Sequence, residues 1–257
     1  MKRRDFMGAS LAAGAATLGS AVAQPTGDGR QYIEILRYHT AGNGKKGTLN
    51  NYFKDAFIPA MNRLGVKNVG VASPQFGDAG NSFYVMLPHE SLESWGTWRS
   101  RLLEDRTYLS AAKEVVEAPF DAPAYSRIEG WLLHAFKECP TLEIPAQGPR
   151  LFEMRIYRSH SMTQSQKKIH MFNEGGEIQI FRDNRLKPVF FGEMISGPEM
   201  PSLVYMVVHK DGRDREDNWD AFRKAPAWEA LRQKSMYKNT VTSITDIVMR
   251  PAGYSQV

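Results

Sequence analysis

Apolar and polar positions along the chain change period in an order that occurs twice. After a polar stretch at 24–30 (QPTGDGR), residues 32–39 read as a strand. Residues 49–65 (LNNYFKDAFIPAMNRLG) then place Tyr52, Phe53, Ala56, Phe57, Ala60, Met61 and Leu64 at helical spacing. Pro59 falls inside that helix, where its missing N–H weakens the middle. KNVGVASPQ (67–75) and NSFYVMLPH (81–89) read as two strands. A helical region starts near Ser91, runs through Leu103 and resumes from Tyr108 to Val116. YSRIEGWLLHAF (125–136) supplies a fourth strand, so the order is β-α-β-β-α-β.

Beyond an irregular connector the order returns. LFEMRIYR (151–158) is a strand, and 163–185 are mostly helical, with Gly175-Gly176 as a candidate break. KPVFFGEMI (187–195) and SLVYMVVHK (202–210) are strands. Interrupted helices follow at 214–222 and 226–237, and a strand closes the set at 240–251. Local matches support a repeat: YIEILRY (32–38) lies over LFEMRIY (151–157), SFYVMLPH over SLVYMVVH, and SWGTW resembles NWDAF in aromatic spacing. The reading is two ferredoxin-like modules, 31–137 and 150–252, joined by a connector at 138–149. Each module alone leaves one sheet face bare, and packing the two sheets face to face buries it. That packing suits two halves of one chain or two chains of a homodimer.

The first 23 residues belong to neither module. Lys2, Arg3 and Arg4 form a basic head, and Met7 to Ala23 carry no ionisable side chain. The run is too short and too rich in small residues for a membrane span, which needs about 20 strongly apolar residues. Ala21-Val22-Ala23 is the pattern expected before signal cleavage, so residues 1–23 read as a signal peptide and the mature chain starts near Gln24. Arg3-Arg4 followed by Asp5 and Phe6 resembles the twin-arginine export signal of bacteria, although Lys2 stands where Ser or Thr is usual. The resemblance implies the twin-arginine export machinery as a partner and a location in the periplasm or outside the cell. No stable membrane insertion of the mature chain is expected.

Composition narrows the chemistry. The 257 residues carry a formal charge of +5, which falls to +3 on cleavage because the leader holds three basic side chains and one acid. Without a long basic tract, nucleic acid is not an expected partner. Cys139 is the single cysteine. An intrachain disulfide network is thereby excluded, as is a type I copper or iron–sulfur site within one chain. It reads as a buried thiol, with an intermolecular bridge as the alternative.

The paired modules and the FEMRIYR motif at 152–158 resemble the NIPSNAP family of the dimeric alpha–beta barrel class, over most of residues 31–250. The resemblance implies an α+β fold in which tandem ferredoxin-like β-α-β-β-α-β modules form an alpha–beta barrel, often with oligomerisation. The family has no generally established catalytic mechanism. Related barrels include cofactor-free monooxygenases and haem-using enzymes, so the fold does not choose a reaction.

Candidate site residues come from alternation. Glu153, Arg155 and Tyr157 share one face of their strand, and Phe152, Met154 and Ile156 the other. The expectation is that the polar set lines the barrel as a ligand cleft while the apolar set packs on helices. Arg155 suits a carboxylate or enolate, Tyr157 a carbonyl oxygen, and Glu153 the arginine or a proton. A purely structural Glu–Arg–Tyr network is the competing reading. In the first module Glu34 and Tyr38 match Glu153 and Tyr157. Leu36 replaces the arginine there and Arg37 points to the opposite face, so the second module is the better home for a pocket. Six histidines carry no H-x-x-x-H or H-E-x-x-H spacing, and neither a metal nor a cofactor is expected. His89 and His209, at repeated strand ends, read as hydrogen-bonding residues. Trp95, Trp98, Trp219, Phe222 and Trp228 read as core, or as an aromatic wall over a hydrophobic ligand.

The leading function is an exported protein that binds a small, partly apolar ligand. A cofactor-free oxygenase or isomerase using Glu153, Arg155 and Tyr157 is the enzyme alternative, and a structural or protein-interaction module the third. Intact-mass measurement of the exported protein is expected to show loss of residues 1–23. A mature mass that retains them, or export unchanged in the double variant Arg3→Lys, Arg4→Lys, contradicts this route.

Overall fold

Strand β1 (Tyr32–Thr40) leads through a 3-10 turn into a helical stretch: α1 (Lys46–Asn51), a π-helical segment (Tyr52–Phe57) and α2 (Ile58–Arg63). The widened segment lies directly ahead of Pro59. Proline gives no N–H and crowds the carbonyl four residues back, and the wider turn absorbs that mismatch without ending the helix. The first half continues with β2 (Gly70–Phe76), β3 (Ser82–His89), α3 (Leu92–Glu104), α4 (Arg106–Ala111), α5 (Lys113–Val116) and β4 (Tyr125–Ala135). The second half holds β5 (Leu151–Arg158), α6 (Met162–Phe172), α7 (Glu177–Asp183), β6 (Lys187–Ser196), β7 (Ser202–His209), α8 (Gly212–Lys224), α9 (Pro226–Arg232) and β8 (Ser243–Pro251). Gly175-Gly176 does break the helix: α6 stops at Phe172, and Gly176 takes φ +84° at the start of α7. The computed structural model describes residues 28–78 and 80–257. The leader, with Arg3, Arg4 and Phe6, lies outside them.

The eight strands form one closed barrel in the order β1-β3-β2-β8-β5-β7-β6-β4. Within it each half keeps the ferredoxin-like order, and the antiparallel pairs β2–β8 and β4–β6 join the two sheets at their edges. Closure therefore occurs within a single chain and leaves no bare edge strand among the described residues. Gly192 marks one seam, because any Cβ there would stand 2.8 Å from Cβ of Leu133 on β4.

An eight-stranded barrel encloses a lumen that side chains just fill. Here Met86, Leu133, Phe152, Met154, Ile156 and Met206 belong to one buried cluster built almost wholly from strand residues of both halves. Two further clusters lie between the outer sheet face and the helices, one in each half. This reverses the expected facing of β5. Phe152, Met154 and Ile156 fill the lumen, and Glu153, Arg155 and Tyr157 point out to the helix layer. Alternation separates the two sets without saying which is inside. The decision is electrostatic: an ion in a dry apolar lumen costs several kcal/mol, whereas the helix layer supplies indole, imidazole and guanidinium donors. Arg37 does point the other way from Leu36. It reaches Ser82 Oγ at 3.3 Å and Glu129 at 3.4 Å, pairs with Asp78, and lies 5.8 Å from the ring centre of Tyr84.

Among the described residues no helix is long and apolar enough to cross a membrane.

Candidate functional site

Glu153 is fully buried and yet surrounded by donors. Arg155 Nε donates to Oε1 at 2.7 Å, Arg215 Nε to Oε2 at 2.8 Å and Nη2 to Oε1 at 3.0 Å, and Trp219 Nε1 to Oε2 at 2.7 Å. Nε2 of His209, the last residue of β7, lies 3.1 Å from Oε2. One strand carboxylate thus ties β5 to β7 and α8. The first half repeats the arrangement around Glu34. Trp95 Nε1 donates at 3.1 Å, Trp98 Nε1 at 2.9 Å and Arg99 Nη2 at 2.7 Å, and His89 Nε2 lies at 3.3 Å.

The helices supply these donors in exchanged positions. Both α3 and α8 start from a side-chain N-cap, Ser91 and Asp211. Counted from the caps, Trp95 corresponds to Arg215 and Arg99 to Trp219. The aromatic match between SWGTW and NWDAF is therefore displaced by one helical turn. A four-residue shift keeps a side chain on the same helix face, so indole and guanidinium trade places while the carboxylate stays saturated.

Burial pushes the Glu153 carboxyl upward, but His209, Arg155, Trp219 and Arg215 together outweigh it and hold the group well below the usual carboxylate range. Glu34 is lowered in the same way, with His89 and Arg99 overcoming burial. Asp246, directly opposite Arg155 on β8, behaves differently. Burial, and then the charge of Glu153, push its carboxyl up to about 6. Its Oδ2 accepts from Arg215 Nη2 at 2.7 Å and Arg155 Nη2 at 3.4 Å, and its Oδ1 is buried without a hydrogen-bond partner among the described residues.

Beyond Arg155 a cavity of about 580 Å³ opens between β5, α6, α8 and α9. Trp219, Phe222 and Trp228 form an aromatic wall. The Arg155 guanidinium stacks 3.9 Å from the Trp219 ring centre, and Tyr157 OH lies 3.0 Å from Tyr205 OH. Lys168, with a side chain 6% exposed, donates to Glu177 Oε2 at 2.7 Å. Burial, against the opposing charge of Lys168, raises the Glu177 carboxyl. Arg223 and Arg232 stand exposed at the rim, each paired with a carboxylate of its own helix, Asp220 and Glu229.

Arg155 and Tyr157 therefore line a cavity, but outside the barrel, and Glu153 stands behind Arg155 as its anchor. Glu34 and Tyr38 lie in the other half. There Tyr38 packs edge-on against Phe53 and Tyr125 with centroids 5.0 and 5.5 Å away, and Tyr52 OH meets Tyr108 OH at 2.9 Å. Large rings occupy the layer where the second half opens its cavity. Sequence reasoning missed Lys168, Glu177, Arg215 and Asp246. Lys168 did leave a signal, since it shares the buried stripe of α6 with Ser165, Met171 and Phe172. Cys139 is buried, and burial followed by Glu143 pushes its thiol up to about 12. Among the described residues no group of three or more His, Cys, Asp and Glu side chains is placed to hold a metal ion.

Fold and site together define a tandem ferredoxin-like alpha–beta barrel with its cavity under the helices of the second half. The family model of NIPSNAP matches residues 152–256, the half that contains this cavity. Comparison with curated proteins finds no match. Among solved structures, a candidate monooxygenase from Lactobacillus acidophilus NCFM is 10% identical, with a TM-score of 0.59 over 86% of this chain and 94% of its own. Another from Fusobacterium nucleatum is 8% identical, with a TM-score of 0.58 over 86% of this chain and 92% of its own. An uncharacterized NIPSNAP-like domain protein from Burkholderia xenovorans is 19% identical, with a TM-score of 0.37 over 42% of this chain and 90% of its own. At these identities the first two likenesses establish the fold.

Without Glu153 the largely buried Arg155 keeps, among the described residues, only Asp246, which it shares with Arg215. Glu153→Gln is therefore expected to lower stability by about 3–5 kcal/mol in urea denaturation at pH 7. Glu34→Gln, where the arginine partner Arg99 is half exposed, is expected to cost less, about 1–3 kcal/mol. The pH dependence has two opposite parts. The depressed Glu153 group stabilises the fold above its unfolded pKa, and this contribution is lost as pH falls through the lower folded value. The raised Asp246 group instead makes stability fall as pH rises from about 4 towards its folded value of about 6. Asp246→Asn should remove that loss and leave a flatter profile over this interval; an unchanged profile contradicts the assignment.

Proposed function

We propose that the chain binds a small, partly apolar anion in the cavity between β5, α6, α8 and α9. The observation that carries this reading is the pair of largely buried cations, Arg155 and Lys168, behind the wall formed by Trp219, Phe222 and Trp228. Arg155 is held in place by Glu153 and Asp246 through Nε and Nη2. Its Nη1 makes no hydrogen bond among the described residues, so a donor is oriented before any ligand arrives. The apolar wall supplies area for an aromatic or branched body, and the cations select its acidic end.

The enzyme alternative asks Glu153 to take a proton. Four donor bonds and a histidine already surround that carboxylate, and its low pKa opposes proton uptake. This favours binding over an oxygenase or isomerase built on Glu153. The leader at 1–23, with Arg3, Arg4 and Phe6, supports action in the periplasm or outside the cell after export.

Titration with 8-anilinonaphthalene-1-sulfonate, an aromatic anion, tests the site. Saturable binding is expected, weakened about tenfold or more in Arg155→Ala, the size of one charge-assisted hydrogen bond. Trp228→Ala should weaken it comparably and Tyr157→Phe less. Unchanged affinity in Arg155→Ala and Trp228→Ala, with circular dichroism showing both folded, contradicts the reading.

A further inference from the structure

Helix α6 turns a lysine into its buried stripe, at a position where an apolar residue would pack more simply. Lysine is almost never fully buried unless paired, and here the pairing is specific. Lys168 Nζ lies 2.7 Å from Glu177 Oε2 and 3.4 Å from Met171 Sδ. The ring centres of Phe172, Tyr157 and Trp228 stand 4.4, 5.6 and 5.8 Å away. Glu177 enters from the first turn of α7, immediately after the Gly175-Gly176 break, and is buried with the lysine. Both residues line the cavity. A strut between two helices does not need to open onto a cavity. An amine that reacts with a cavity ligand does.

The pair rests as ammonium and carboxylate, and one proton passed along the 2.7 Å contact from Lys168 to Glu177 converts it to amine and carboxylic acid. Burial raises the Glu177 carboxyl. In the neutral form the pair contains a nucleophile and a proton donor in contact, the two groups that imine formation requires.

We propose that Lys168 captures carbonyl compounds as a reversible imine, with Glu177 as the proton carrier and an aldehyde or 2-oxo acid bearing an anionic group as the ligand class. This rests on the anion-binding reading of the same cavity. The Nζ lone pair attacks the carbonyl carbon, and the C=O π pair moves to oxygen. One nitrogen proton and the Glu177 proton end on that oxygen, which leaves as water when the C=N bond forms. The remaining nitrogen proton is lost to the Glu177 carboxylate, which restores the acid. Hydrolysis reverses each step, so no oxidant or reductant is consumed. Arg155 faces the acidic end, and Trp219 and Trp228 flank the body.

Incubation with 4-carboxybenzaldehyde and sodium cyanoborohydride converts any imine to a secondary amine that mass spectrometry locates. The expected result is one adduct per chain, mapped to Lys168 and formed at least about tenfold faster than on exposed lysines such as Lys54 and Lys137. Lys168→Met and Lys168→Arg should both abolish it, the second while keeping a cation opposite Glu177. Glu177→Gln should slow it about tenfold. Binding of benzoate, followed by tryptophan fluorescence, separates the two claims. Benzoate binding with label spread over exposed lysines, or with Lys168→Met labelled like the wild type, overturns the imine and leaves the anion site standing. Absence of benzoate binding in the wild type overturns the anion site and, with it, this inference.

Discussion

A carboxylate withdrawn from water has to be given back every hydrogen bond it lost. In this chain that requirement arises twice, at Glu34 and Glu153, on the outer face of the first strand of each half. Meeting it brings together a histidine from the end of a neighbouring strand and indole and guanidinium groups from the following long helix. The helix therefore docks where its donors reach the carboxylate, and the hydrophobic layer beneath it packs around that point. Burial of apolar area supplies most of the driving force, but it is non-directional. The buried carboxylates give the docking its direction, because a displaced helix leaves charges unpaired in a dry layer.

The same constraint accounts for the difference between the halves. Leu36 beside Glu34 lets Phe53, Phe57 and Tyr52 close over the sheet. Arg155 beside Glu153 cannot be covered so simply, since a second cation in the layer needs a second carboxylate. Asp246 takes that part, shared with Arg215. Lys168 adds a third buried cation on α6 and finds Glu177 across the Gly175-Gly176 turn. These pairs keep polar groups at the base of the layer, and the cavity is lined by Arg155, Lys168 and Glu177 from them and by the aromatic wall.

Much of this was legible in the residues and part was not, for physical reasons. The alternation of β5, the helical stripe over 49–65 and the doubled β-α-β-β-α-β order all follow from period alone; the barrel was implied by the family resemblance. Period is blind to facing, however. FEMRIYR offers one polar and one apolar set, and only the identity of the covering layer decides which set is inside. The α8 register was hidden for a related reason: NWDAF imitates SWGTW while sitting one turn later, and the Asp211 cap that fixes its position is not aromatic. Lys168 was visible as a lysine on an apolar stripe, but its partner lies nine residues on, beyond a helix break. Asp246 is one acid on an unremarked strand until β8 is paired with β5.

The central claim is that the ligand site lies between sheet and helices in the second half and not within the barrel. Crystals soaked with 4-iodobenzoate test it directly, because anomalous scattering locates the iodine without prior assumptions. The account predicts a peak between Trp219 and Trp228, with the carboxylate directed at Arg155. A peak in the lumen beside Met154 and Met206, with the outer cavity empty, would contradict it.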